Sequence, residues 1–118
     1  MSTFVQYIIV NGSIHRKLNW PIGAIIAQCC HAATAVGHLY ADDADTIAYY
    51  KNLDNMHKVV LEINGDDEMR KLSEQLEIDD IKHKLWIEMP ENIPTCLAVK
   101  PYQKKSVEKY FKRLKLFR

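Results

Sequence analysis

The chain has 118 residues, 47% of them hydrophobic and 26% charged, with a formal net charge of +1. This is one domain's worth of chain, read as a single domain over residues 1–118 and long enough for a core without disulfide or metal staples. No apolar run approaches the roughly 20 residues of a membrane span, and MSTFVQYIIV at the start has neither a basic n-region nor a small-residue cleavage site, so no membrane partner or secretory leader is expected.

In chain order, FVQYIIV (Phe4–Val10) is apolar at nearly every position, the mark of a central strand covered on both faces. NGSIHRKLNW (Asn11–Trp20) reads as a polar loop with a turn at Asn11-Gly12. Pro21 suits the first turn of a helix that runs to about Leu39. ADDADTIAYYKN begins a short second helix, and KVVLEI (Lys58–Ile63) is a second strand. Met69, Leu72 and Leu76 give the next segment a helical stripe after a turn at Asn64-Gly65-Asp66. HKLWIEM (His83–Met89) and TCLAVK (Thr95–Lys100) are strands too close together for a crossover helix, so they should be antiparallel. A last helix is expected from Gln103, with Val107, Tyr110, Phe111 and Leu114 on its inner face and lysines outside. The pattern predicts an α/β three-layer sandwich: a four-stranded mixed sheet with helices on both faces.

Charge is unevenly spread. Residues 62–80 hold eight acids against Arg70 and Lys71, read as a solvated surface, and residues 100–118 hold eight bases against Glu108. A basic end can steer an anionic partner. Three cysteines, two of them adjacent, argue against a disulfide framework and for a reducing compartment, the cytoplasm.

The stretch AQCCHAATA (Ala27–Ala35) raises the question of chemistry. Consecutive Cys29, Cys30 and His31 point about 100° apart on a helix and cannot share one ion, so no metal site and no cofactor are expected. The cysteines read as small buried hydrophobes. Gln28 and His31, at i and i+3, share one face among Ala24, Ala27, Thr34 and Ala35, which leaves room for a ligand beside a donor–acceptor amide and a base. A core histidine bonded to backbone is the plainer alternative. Trp20 and Trp86 are read as core residues rather than stacking platforms for bases.

Together, WPIGAIIAQCCHAATA (Trp20–Ala35), KVVLEI, LWIEMPEN (Leu85–Asn92), TCLAVKP and a basic end RLKLFR resemble the type II peptidyl-tRNA hydrolases, in particular the eukaryotic branch called peptidyl-tRNA hydrolase domain-containing proteins. The resemblance runs from about Val5 to Arg118, and Ala27–Ala32 is its most specific part. It implies the same four-stranded sheet. It also implies hydrolysis of the ester that joins a peptide to the 3′-terminal ribose of tRNA, with peptidyl-tRNA as the RNA partner and Gln28 and His31 at the family's glutamine and histidine. Family members often pair, which leaves a homodimer open. Two departures stand out. The family's Gly-Lys pair at the helix start is Gly23-Ala24, and its Asp-Ala-Gly-x-Thr loop is EMPENIPT, whose only acids are Glu88 and Glu91. A lysine-free mechanism would then use His31 as base, Gln28 as oxyanion donor and Glu91 to orient His31 or hold the ribose. Arg16 and Lys17, just before the helix, should flank the site, with Lys104 and Lys105 among the further cations for tRNA phosphates. The rival reading is a non-catalytic tRNA- or protein-binding module on the same fold.

Overall fold

A computed structural model describes residues 3–118; Met1 and Ser2, which open the segment read above as lacking a leader, lie outside them. The order is β1 (Phe4–Asn11), α1 (Gly12–Arg16), α2 (Ile22–Leu39), α3 (Ala44–Tyr50), β2 (Lys58–Ile63), α4 (Asp66–Ile78), β3 (His83–Glu88), β4 (Ile93–Val99), β5 (Tyr102–Gln103), α5 (Lys104–Val107) and β6 (Lys115–Leu116). The four expected strands form the body of a mixed sheet in the order β3-β4-β1-β2. β1 and β2 are parallel, while β3–β4 and β1–β4 are antiparallel. Two two-residue strands bring the sheet to six: β6 pairs with the free edge of β2, and β5 pairs with the start of β1 beyond the end of β4. Pro101, which has no N–H to give, separates β4 from β5.

β1 is buried on both faces, as its unbroken apolar run predicts. On one face Val5, Tyr7, Ile9, Leu61, Ile63 and Leu97 meet the inner stripe of α4 (Met69, Leu72, Leu76) together with Val107 and Phe111. On the other face Ile8, Val10, Cys96 and Ala98 meet α2 and α1 through Ile14, Ile25, Ala32 and Val36. By length and composition α2 would pass for a membrane span; here one face of it, Ile25, Gln28, Ala32 and Val36, packs on the sheet.

Two segments differ from the expectation. Gly12–Arg16 is a helix rather than a loop. The Asn11 side-chain oxygen caps it by accepting from Ser13 N–H at 3.0 Å, and fully buried Ile14 plugs the space between β1 and α2. The C-terminal helix stops after one turn. A 3₁₀ turn over Glu108–Tyr110 follows, and the chain then crosses to the edge of β2, where Phe117 N–H donates to Val60 O at 3.0 Å. Val107 and Phe111 keep their expected inner places, with Phe111 against the Tyr7 ring at 4.4 Å. Sheet pairing and burial of Phe117 in the cluster around Ile25 therefore override the helical period downstream of Phe111.

α3 is fixed from outside. Asp43 caps it through Thr46 N–H at 3.0 Å and accepts an ion pair from Lys100 at 2.9 Å. Lys100 is only 3% exposed, and its ammonium also lies 3.5 Å from Asp45 and 3.5 Å over the Tyr102 ring. Burial pushes the Asp43 carboxyl up, but the bonds from Lys100 and the Thr46 N–H outweigh it and hold the group below the usual carboxylate range.

Candidate active site at the start of the long helix

The β3–β4 pairing determines the site. Trp86 stands opposite Cys96, but the next residue, Ile87, stands opposite Pro94. Thr95 is thus an extra residue on β4, a bulge that turns its side chain toward the α2 layer. There its hydroxyl donates to Gln28 Oε1 at 2.9 Å, with Gln28 4% and Thr95 0% exposed. With its carbonyl oxygen taken by Thr95, Gln28 has its amide nitrogen as the end that can donate to something else.

His31, one turn on, is exposed. Its ring stacks on half-buried Trp86 with centroids 4.7 Å apart and planes 20° from parallel. The indole N–H of Trp86 donates to Glu88 Oε1 at 3.0 Å, which pins the indole beneath the imidazole. Trp86 is therefore neither wholly core nor a free platform: one part of it packs against the α2-side cluster and one face carries His31.

A second set of bonds closes the base of the site. Buried Asn11, at the end of β1, donates through Nδ2 to Pro94 O at 2.8 Å and to Asp66 Oδ1 at 2.7 Å. It thereby ties the bulge and the first turn of α4 to the end of β1. Beside the Gln28–Thr95 bond, Cys29 and Cys96 touch across the α2–β4 contact. The shared thiol hydrogen bond, with burial adding to it, raises the Cys96 thiol, and the same bond lowers that of Cys29. All three cysteines are free, and among the described residues no group of three or more His, Cys, Asp or Glu could hold a metal ion.

The start of α2 is open. A Cβ on Gly23 would meet nothing within 4 Å, and neighbouring Ala24 is half-buried. Glu91 is exposed on the β3–β4 turn and makes no ion pair among the described residues. Arg16 forms a forked ion pair with buried Glu62 of β2, its second arm at 2.8 Å; Lys17 is exposed beside it. Lys104 and Lys105 lie elsewhere. Lys104 N–H bonds Thr3 O and Gln103 pairs with Phe4, which places them at the opposite end of β1 from Asn11. At about 3.3 Å per residue that is roughly 20 Å along the strand.

Gln28 and His31 thus lie on neighbouring turns of α2 over β4 and β3, Arg16 and Lys17 lie at the end of α1 with Arg16 paired to β2, and Lys104 and Lys105 lie at the opposite end of β1. Thr95, Trp86 and Asn11 join Gln28 and His31 in the structure, beyond the residues that the sequence singles out. The Thr ending the family loop was the available signal for Thr95; the indole and the amide gave none.

Residues 4–117 match the sequence family described as Peptidyl-tRNA hydrolase PTH2. Two relatives, from Mus musculus and Homo sapiens, are each 44% identical over 115 residues, spanning 97% of this chain and 82% of theirs; both carry the name "Putative peptidyl-tRNA hydrolase PTRHD1". A solved structure of a protein of unknown function from Agrobacterium tumefaciens superposes with a TM-score of 0.60 at 16% identity and covers 100% of both chains, a likeness of fold alone.

Proposed function

The chain belongs to the peptidyl-tRNA hydrolase PTH2 family, and from that premise we propose that it hydrolyses the ester of peptidyl-tRNA with an active site that has no lysine. The observation that carries the proposal is the buried Thr95–Gln28 bond, which orients an amide donor on the second turn of α2, one turn before an exposed imidazole. Water attacks the ester carbonyl carbon as His31 takes its proton. The tetrahedral oxyanion accepts from the Gln28 amide. Collapse breaks the bond to the ribose oxygen, which recovers the proton from His31, leaving free tRNA and a peptide carboxylic acid that loses its proton to solvent. Glu91, exposed on its turn, takes the ribose hydroxyls or orients His31. Arg16 and Lys17 take the phosphates next to the ester. Lys104 and Lys105 are left out of this role because of their distance from it.

The activity fits a place in translation quality control in the cytoplasm, where free thiols persist. It needs neither metal nor cofactor and no membrane. A homodimer is carried as part of the same proposal, since Ile22 and Ile26, one turn apart on α2, are 55% and 56% exposed; sedimentation of the purified chain tests it.

A second reading has its own observation. Ala24, a methyl where the family carries lysine, favours a module that binds tRNA or protein without cleaving it. Single-turnover cleavage of N-acetyl-aminoacyl-tRNA separates the two: release of the acylated amino acid supports the enzyme, and tight binding without release supports the module.

A further inference from the structure

The basic C-terminal segment does not form one face. Because its helix ends after Val107 and the chain crosses the molecule to pair with β2, its cations are divided between opposite ends of the sheet. Lys104 and Lys105 stay near Phe4, whereas Lys115 pairs with Glu62, level with Val10 near the end of β1.

At this second end lies a cleft of about 310 Å³ lined by Arg16, Glu62, Asn64, Glu68, Arg113 and Lys115. Arg16 and Asn64 also line an adjoining hollow of about 150 Å³ with Gly12, Ser13 and Lys17, so the two form one groove. It opens beyond the carboxyl ends of the parallel strands β1 and β2, where open α/β sheets commonly hold ligands.

The charges in this groove are not balanced. Glu62 is buried and engaged by Arg16, and Glu68 accepts from Asn64 N–H at 3.2 Å. Lys17, Arg113 and Lys115 make no ion pair among the described residues. Gly12 leaves the space the Arg16–Glu62 pair occupies: a Cβ there would lie 2.8 Å from both side chains. A chain of bonds ties the groove to Gln28. Its inner wall, Gly12 and Ser13, follows Asn11, whose amide bonds Pro94 beside Thr95, and Thr95 bonds Gln28.

We propose that this groove is the track for the RNA phosphodiester backbone: Arg113 and Lys115 hold phosphates at its outer end, Lys17 at its inner end, and Arg16, positioned by Glu62, between them. The inference rests on the reading of the chain as a tRNA-binding protein and adds where the tRNA lies.

The test is equilibrium binding of deacylated tRNA across a salt series, which requires no hydrolysis. The wild type is compared with Arg113→Gln/Lys115→Gln and Lys104→Gln/Lys105→Gln. Loss of two phosphate contacts should lower the slope of log affinity against log salt by about 1.4–1.8 and weaken binding roughly tenfold or more at low salt. The Lys104/Lys105 variant should match the wild type. If the wild type binds but the Arg113/Lys115 variant binds equally well with the same slope, the groove is overturned and the tRNA reading stands. Equal losses in both double variants would indicate diffuse charge and also overturn the groove. A wild type that binds no tRNA overturns both.

Discussion

Thr95 and Gln28 show how much can depend on one buried hydrogen bond. Replacing Thr95 with Val removes the donor and leaves the Gln28 carbonyl buried without a partner, a cost of about 1–3 kcal/mol. A lowered melting temperature would register it. If the amide is the oxyanion donor, Gln28→Leu should slow single-turnover hydrolysis by about 10²–10³-fold. Thr95→Val should slow it by less, because the amide remains but is no longer held. Equal rates in Gln28→Leu and wild type would remove Gln28 from the chemistry. His31 is legible in the sequence as a residue on the Gln28 side of the helix, but its partner is not. The stack on Trp86 joins residues 55 positions apart, and neither position is unusual in its own segment. Thr95 is hidden for a different reason: alternation along β4 would place it on the α4 side with Leu97 and Val99, and only the bulge turns it to α2.

Among the elements, those with long periodic signals match their reading. β1 to β4, α2 and α4 all form where apolar pattern and turn residues place them, and β3–β4 is antiparallel as the short connection requires. The elements that differ are short and owe their existence to distant partners. α1 is five residues held by one buried isoleucine and an asparagine cap. β5 and β6 are two residues each and exist because the edges of β1 and β2 accept them. α3 forms where it is expected, and its N-terminus is likewise held by a distant partner, Lys100. Lys100→Met should lower stability by about 1–2 kcal/mol, a modest value because Asp43 and Asp45 remain partly solvated. The sign of the pH dependence follows from Asp43. Its carboxyl is depressed in the folded state, so its contribution is full above the unfolded carboxylate pKa of about 3.9 and is lost as pH falls through the lower folded value. Melting temperatures taken from about pH 5 downward should therefore fall less in Lys100→Met than in wild type; parallel curves would contradict the clamp.

At the scale of the whole molecule, the two ends of the sheet differ. The carboxyl ends of β1 and β2, α1 and the C-terminal strand border the groove at one end, and Asn11 at the end of β1 bonds Pro94 next to the bulge that holds Gln28. At the opposite end Lys100 clamps α3 and the one-turn α5 lies beside Thr3. We propose that the Gln28 and His31 pair cleaves peptidyl-tRNA without the family's lysine. Single-turnover hydrolysis of N-acetyl-aminoacyl-tRNA by wild type, His31→Ala and Ala24→Lys tests it most directly. Cleavage by wild type and a loss of about 10²–10⁴-fold in His31→Ala are expected. A wild type that is inert, or a His31→Ala variant that cleaves at the wild-type rate, would contradict it; an inert wild type rescued by Ala24→Lys would further identify the chain as a binding module built on the hydrolase fold.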